Sequence, residues 1–326
     1  MKIFSLFCVL FLLESAWGVS DSFERVTGNY TSVFGDELEY HLTKTTNDTH
    51  SDRLFVFIPG DGDNCTEREN YYKKSLEAWE ALAGEYVESG DWVFPEATID
   101  RYCEVRANKL DGIDYYHRVN ENALLVKSIL ANNSQYNHVY LIGYSAGAML
   151  APLVAIELGS EGKLAGVMMG GFMGRRFSSY MAESYTRWIE EQATFTDQEL
   201  LEFYMNLRGT FKAIRQSCSP TQKSLAAVWG EGDNSQIRTD NFYCQQDDPE
   251  FPQKLGRLPQ NLPVLVMQGA VDPALQSSVT EGFYRYAQLK DLGKSVTFKS
   301  VPGMTHSWRR SGPDFFKVIR DWASGL

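Results

Sequence analysis

The chain has 326 residues, 43% of them apolar and 22% charged, with a formal net charge of −11. That apolar content is too high for a disordered chain and supplies one large α/β domain with room for a subdomain. The acidic balance repels phosphate backbones and anionic lipid surfaces, which argues against nucleic acid as a partner and towards a small molecule.

Taken in chain order, Ile3 to Leu13 form a short apolar run behind Lys2, and Ala16-Trp17-Gly18 puts small residues three and one positions before a cleavage point. Residues 1–18 are therefore read as a secretory signal peptide. The run is shorter than the ~20 apolar residues that cross a bilayer, so no stable membrane anchor is expected. Cleavage removes Cys8 and leaves Cys65, Cys103, Cys218 and Cys244, an even set that suggests two disulfides in an oxidising compartment. Three connectivities are open. The favoured one joins Cys65 to Cys103 and Cys218 to Cys244, each closing a loop worth ~3 to 4 kcal/mol. Sequons at Asn29, Asn47, Asn64 and Asn132 fit a glycosylated, extracellular protein.

Glu37 to Thr43 alternates loosely. Leu54-Phe55-Val56-Phe57-Ile58 is a continuous apolar run stopped by Pro59-Gly60, as expected of a strand buried on both faces. A helical stretch from about Glu67 to Tyr86 leads to a short apolar segment at Trp92-Val93-Phe94, and a second helical pattern runs from about Gly112 to Ala131. Two more strands follow at Val139 to Ile142 and Leu164 to Met169. This alternation predicts an α/β fold with a mostly parallel sheet flanked by helices. From about Met173 to Leu262 the rhythm changes to polar and aromatic helical segments, read as an inserted helical cap (173–262) between the sixth and seventh strands. Residues 19–172 and 263–326 then form the body. The sheet resumes at Val264 to Met267 and Ser295 to Phe298, and an amphipathic helix from about Pro313 to Ala323 closes the chain. The sequence has no His/Cys cluster at metal-ligand spacing, so no metal is expected.

Gly143-Tyr144-Ser145-Ala146-Gly147 lies between an apolar strand and the helix-like Ala148 to Ala155. A serine aimed out of a sharp strand-to-helix turn needs minimal neighbours, which glycine supplies, so Ser145 is the candidate nucleophile. Acyl transfer then requires a base and an acid that orients it. His138 begins the elbow strand, on the far side of the sheet. His41, His50 and His117 fall in the amino-terminal strand, a loop and a helix. His306 follows a strand in the glycine-bearing loop Val301 to Ser307 and is the candidate base. Asp272 follows the Val264 strand and is the candidate acid, ahead of Asp233 and Asp291, which lack a strand in front. The order Ser145, Asp272, His306 is the order α/β hydrolases use. The oxyanion of acyl transfer needs two N–H donors, expected from Ala146 and from Asp61 in Pro59-Gly60-Asp61-Gly62-Asp63.

With these residues in hand the chain resembles the acyl-protein thioesterase, lysophospholipase and carboxylesterase group of the α/β-hydrolase superfamily. The likeness covers Leu54 to Gly62, about Gly112 to Gly171, and Pro263 to Trp322, and is closest where Val296-Thr297-Phe298-Lys299 runs into Pro302-Gly303-Met304 and His306-Ser307. It implies an α/β-hydrolase fold and a secreted serine esterase or thioesterase, monomeric or dimeric, acting on a small ester or acyl substrate without a cofactor. Two features depart from that pattern. The group's His-Gly-x-Gly turn reads Pro59-Gly60-Asp61-Gly62 here, and the 173–262 segment is much longer than its equivalent. Tripeptidyl and prolyl aminopeptidases are a competing likeness, in which Glu183, Glu190 or Glu191 would grip a substrate amino terminus. A binding protein with a silent site is the remaining alternative.

Overall fold

Leu54, Val56 and Ile58 pack into one hydrophobic core and Phe55 and Phe57, between them, into another. Side chains alternate across a strand, so an uninterrupted apolar run demands cover on both faces of the sheet. The computed structural model of this chain describes residues 23–46, 51–60, 65–97, 114–171, 176–192, 195–225, 238–272, 278–306 and 308–326.

Eight strands form one sheet: β1 Phe23–Thr31, β2 Glu37–Thr45, β3 Arg53–Ile58, β4 Asp91–Pro95, β5 His138–Tyr144, β6 Leu164–Gly170, β7 Val264–Gly269 and β8 Val296–Val301. Their order is β1-β2-β4-β3-β5-β6-β7-β8. β2 is antiparallel to both of its neighbours, and the pairings from β4 through β8 are parallel. The first core gathers Val119, Val126, Leu150 and Val154 from helices α2 (Tyr115–Asn132) and α3 (Gly147–Leu158). The second gathers Trp79 of α1 (Cys65–Gly84) with Phe315, Phe316 and Trp322 of the carboxyl-terminal helix Pro313–Ser324. Its aromatic rings follow the strand register: Phe55 stacks on Trp92 and Tyr140, its partners in β4 and β5, with centroids 4.1 and 4.8 Å apart.

Between β6 and β7, the interval expected to form a cap, lie α4 Phe177–Gln192, α5 Asp197–Ser217, α6 Asp240–Gln246 and α7 Phe251–Leu255. Phe177, Leu207, Phe211, Phe242 and Tyr243 from these helices share the first core with Tyr115 and Val119 of α2. Polar contacts reinforce the packing. The Gln245 side-chain carbonyl accepts from the Tyr115 and Tyr116 amides at the start of α2, and the fully buried Asp247 carboxylate accepts from Arg215 and from the Ser178 amide. Cys218 and Cys244 form a disulfide, as expected, with a Cα–Cα distance of 5.5 Å. The Cys65–Cys103 pairing needs Cys103, which lies outside the described residues, as do the leader (1–18), Asn47 and Asn64. Asn29 and Asn132 are both exposed.

Two elements had no clear signature in the sequence. β1 is an edge strand in which only Tyr30 is buried, so its side chains show no apolar alternation and its pairing with β2 defines it. Helix α8, Ser278–Asp291, leaves Val279, Phe283 and Tyr284 exposed, which blurs the apolar stripe that marks a packed helix. Two helices follow β8, α9 Trp308–Ser311 and α10 Pro313–Ser324.

Candidate active site

The parallel register sets Ile58 beside Gly143, Tyr144 beside Gly170, and Gly269 beside Val301, so the loops after β3, β5, β6, β7 and β8 leave one rim of the sheet together. The carboxyl-terminal rim of such a sheet is where ligands of open α/β folds bind. Ser145 is the first residue past β5 and has φ 55°, a left-handed conformation uncommon for a residue with a Cβ. Its amide donates to the Gly170 carbonyl at 2.8 Å, and its carbonyl accepts from the Ala148 amide at 2.9 Å, so the strained turn is tied to β6 and to the first turn of α3. The flanking glycines are required by contact. A Cβ on Gly147 would lie 2.0 Å from the Ile58 carbonyl oxygen, and one on Gly143 would lie 2.3 Å from the Gly147 carbonyl oxygen.

His306 Nε2 lies 3.0 Å from Ser145 Oγ, and His306 Nδ1 lies 2.9 Å from Asp272 Oδ2. The Asp272 carboxylate is fully buried, whereas the imidazole is one-third exposed. A Nδ1–H that donates to the carboxylate leaves Nε2 as an acceptor facing the hydroxyl. The two loops that bring these groups together are themselves bonded: the Ala270 amide donates to Val301 and the Val271 amide to Met304, at 3.0 and 3.2 Å. Gly269 lets them approach, since a Cβ there would lie 2.2 Å from the Met304 carbonyl oxygen. Buried Met304 anchors the histidine loop in the second core.

The other described histidines lie elsewhere. His138 pairs with Asp52 at the amino-terminal end of β5, and His117 accepts from the Asp114 amide in the capping box of α2. His41 sits half-buried on β2, where desolvation pushes its pKa down against the pull of Glu80 and Glu39. His50 and Asp233 lie outside the described residues, and Asp291 ends α8.

Ala146, the expected oxyanion donor after the nucleophile, is the N-cap residue of α3 and is buried. Gly60 faces it: a Cβ on Gly60 would come within 2.7 Å of Ser145 Cβ and 3.2 Å of the Ala146 nitrogen. Asp61, the second expected donor, lies outside the described residues. Of the acidic residues that an aminopeptidase would use, Glu190 is exposed, and the side chains of Glu183 and Glu191 are outside the description.

Two residues near the site were not singled out in the sequence. The Tyr144 hydroxyl donates to the Thr305 carbonyl at 3.2 Å, bracing the elbow against the residue before His306. Arg118, buried on α2, donates from Nη2 to the Pro59 carbonyl at 3.0 Å. The one available signal was spacing: Arg118 falls on the core-facing stripe Tyr115, Val119, Asn122, Ala123, Val126, where a cation needs a partner. Among the described residues, no group of His, Cys, Asp and Glu could hold a metal ion, and no helix is long and apolar enough to cross a membrane.

No protein-family model matches the chain, and no curated protein sequence matches it. Solved structures do. The chain is similar to a highly thermostable carboxyl esterase from Bacillus coagulans, with a TM-score of 0.57, 16% identity, and 94% of this chain and 99% of that one covered. It is also similar to carboxyl esterase 2 from the mycorrhizal fungus Tuber melanosporum, with a TM-score of 0.56, 13% identity, and 95% and 87% covered. A third similar structure is brefeldin A esterase, a bacterial homologue of human hormone-sensitive lipase, with a TM-score of 0.54, 15% identity, and 94% and 77% covered. The sheet order, the antiparallel second strand and these likenesses establish that the chain has the α/β-hydrolase fold.

Proposed function

We propose that this protein is a serine hydrolase that cleaves carboxylic esters, with Ser145 as nucleophile, His306 as base and Asp272 as the acid that orients it. The observation that carries this reading is the continuous hydrogen-bonded chain from Ser145 Oγ through the imidazole to a buried carboxylate, set on a residue with positive φ. Carboxylesterases among structures of the same fold support the ester as substrate.

In the first half-reaction Oγ attacks the ester carbonyl carbon while Nε2 takes its proton, and the carbonyl π-electrons move to oxygen. The Ala146 amide, with Asp61 as the expected second donor, stabilises that oxyanion. Collapse expels the alcohol, which takes the proton from Nε2 and leaves the acyl group on Oγ. Water then attacks the acyl-enzyme, gives its proton to Nε2, and the departing Oγ recovers it as the carboxylic acid leaves. Asp272 keeps Nδ1 protonated throughout and stabilises the imidazolium.

Helices α4 to α7, between β6 and β7, stand in this reading as the cap that limits access to the site. Secretion, through a leader at 1–18, and glycosylation at the exposed Asn29 and Asn132 belong to the same reading and are supported by the Cys218–Cys244 disulfide, a bond of oxidising compartments. The test is a panel of nitrophenyl esters of rising chain length beside aminoacyl nitroanilides, run on the protein and on Ser145→Ala. Ester turnover that disappears in Ser145→Ala is the expected result. Nitroanilide cleavage in its place would select the exopeptidase alternative, and no labelling of folded protein by a fluorophosphonate would overturn both.

A further inference from the structure

From the buried bond between Arg118 and the loop after β3, we infer that Arg118 is a positioning residue for the oxyanion side of the site. The inference rests on the serine-hydrolase reading above. Arg118 is only 5% exposed, so its charged head is largely withdrawn from water, and its Nη2 donates to the Pro59 carbonyl at 3.0 Å. The acceptor lies one peptide from Gly60, whose α-carbon faces both Ser145 Cβ and the Ala146 nitrogen so closely that no side chain fits between them. Because the peptide unit is planar and trans, anchoring the Pro59 oxygen also fixes the orientation of the Gly60 N–H and the position of the Gly60 α-carbon against Ser145 and Ala146.

The same backbone is constrained from the other side. A Cβ on Gly147 would touch the Ile58 and Pro59 carbonyls, so the loop lies flat against the first residues of α3 and has little freedom except to move away from the elbow. Arg118 opposes that movement. Its own helix is fixed near its base, where Asp114 caps the first turn and Gln245 accepts from the amides of Tyr115 and Tyr116. The guanidinium is therefore held by α2 at one end and holds the oxyanion loop at the other. It touches none of the reacting atoms in this role; it acts through the Pro59–Gly60 backbone that lies against Ser145 and the Ala146 amide. A misplacement of about 1 Å there is sufficient to cost up to about 100-fold in rate.

The experiment compares the wild-type protein with Arg118→Met, which keeps length and apolar bulk, and Arg118→Lys, which restores one donor. Three readings are taken: kcat and KM on a nitrophenyl ester, the second-order rate of Ser145 labelling by a fluorophosphonate, and the affinity of an alkyl boronic acid that mimics the tetrahedral adduct. The expected result for Arg118→Met is kcat lower by about 10- to 100-fold with KM within about twofold, a parallel loss in boronate affinity, and partial recovery of both in Arg118→Lys. Folded Arg118→Met protein with kcat and boronate affinity within twofold of wild type overturns the inference. So does failure of both variants to fold, because Arg118 is then a support of the core alone. Fluorophosphonate labelling separates the two levels: wild-type protein that labels at Ser145 but cleaves no ester defeats the esterase reading, while the labelling rates still decide the role of Arg118.

Discussion

Replacing Gly147 by alanine adds one methyl group where the start of α3 meets the end of β3. The new carbon would sit 2.0 Å from the Ile58 carbonyl oxygen and 2.9 Å from both the Ile58 carbon and the Pro59 oxygen. All three are backbone atoms, two at the end of β3 and one in the residue that follows it, so no side chain can rotate aside to make room. Relief to an ordinary contact at 3.4 Å requires a displacement of about 1.4 Å between α3 and the loop after β3. Overpacking of this kind costs about 3 kcal/mol of stability. It also separates the Ala146 amide from Gly60, and a misplacement of that size lowers kcat by about 100-fold. Gly209→Ala is the internal control. It lies within α5 with nothing within 4 Å of its Cβ position, and alanine there gains about 0.5 to 1 kcal/mol. Thermal or urea unfolding measures the first quantity and nitrophenyl ester hydrolysis the second. A folded Gly147→Ala protein with wild-type midpoint and kcat would refute the contact argument, and so would equal losses in both variants, because Gly209→Ala meets no contact and gains helix propensity.

Asp272→Asn preserves the shape of the carboxylate but cannot hold Nδ1–H in the same way, so kcat should fall by about 10⁴-fold with folding intact. Tyr144→Phe retains the ring against Phe315 and Gly171 but loses the bond to the Thr305 carbonyl; a kcat loss of several-fold with KM unchanged is expected from steady-state kinetics. Reduction of Cys218–Cys244, or its replacement by two serines, opens a link between residues 26 apart in sequence and should destabilise the protein by about 3.5 kcal/mol, read from the urea midpoint.

The sequence alone determined the features that depend on short-range physics. The apolar run at Leu54 to Ile58 had to be a strand covered on both faces, and the glycines around Ser145 had to mark a turn too tight for side chains, because steric exclusion and two-residue periodicity act between near neighbours. It also narrowed the candidate base to His306 by where each histidine falls along its element, which is again local information. It could not reveal β1, which depends on hydrogen bonds to β2, or α8, whose apolar side chains are left exposed. Tertiary structure alone decided which groups meet: Asp272 and His306 converge because two loops bond to each other after parallel strands, and Arg118 reaches Pro59 because α2 packs beside β3's end. Those contacts join residues 34 and 59 positions apart. Their geometry is set by strand order and register, which are properties of the whole sheet that no window of neighbouring residues contains.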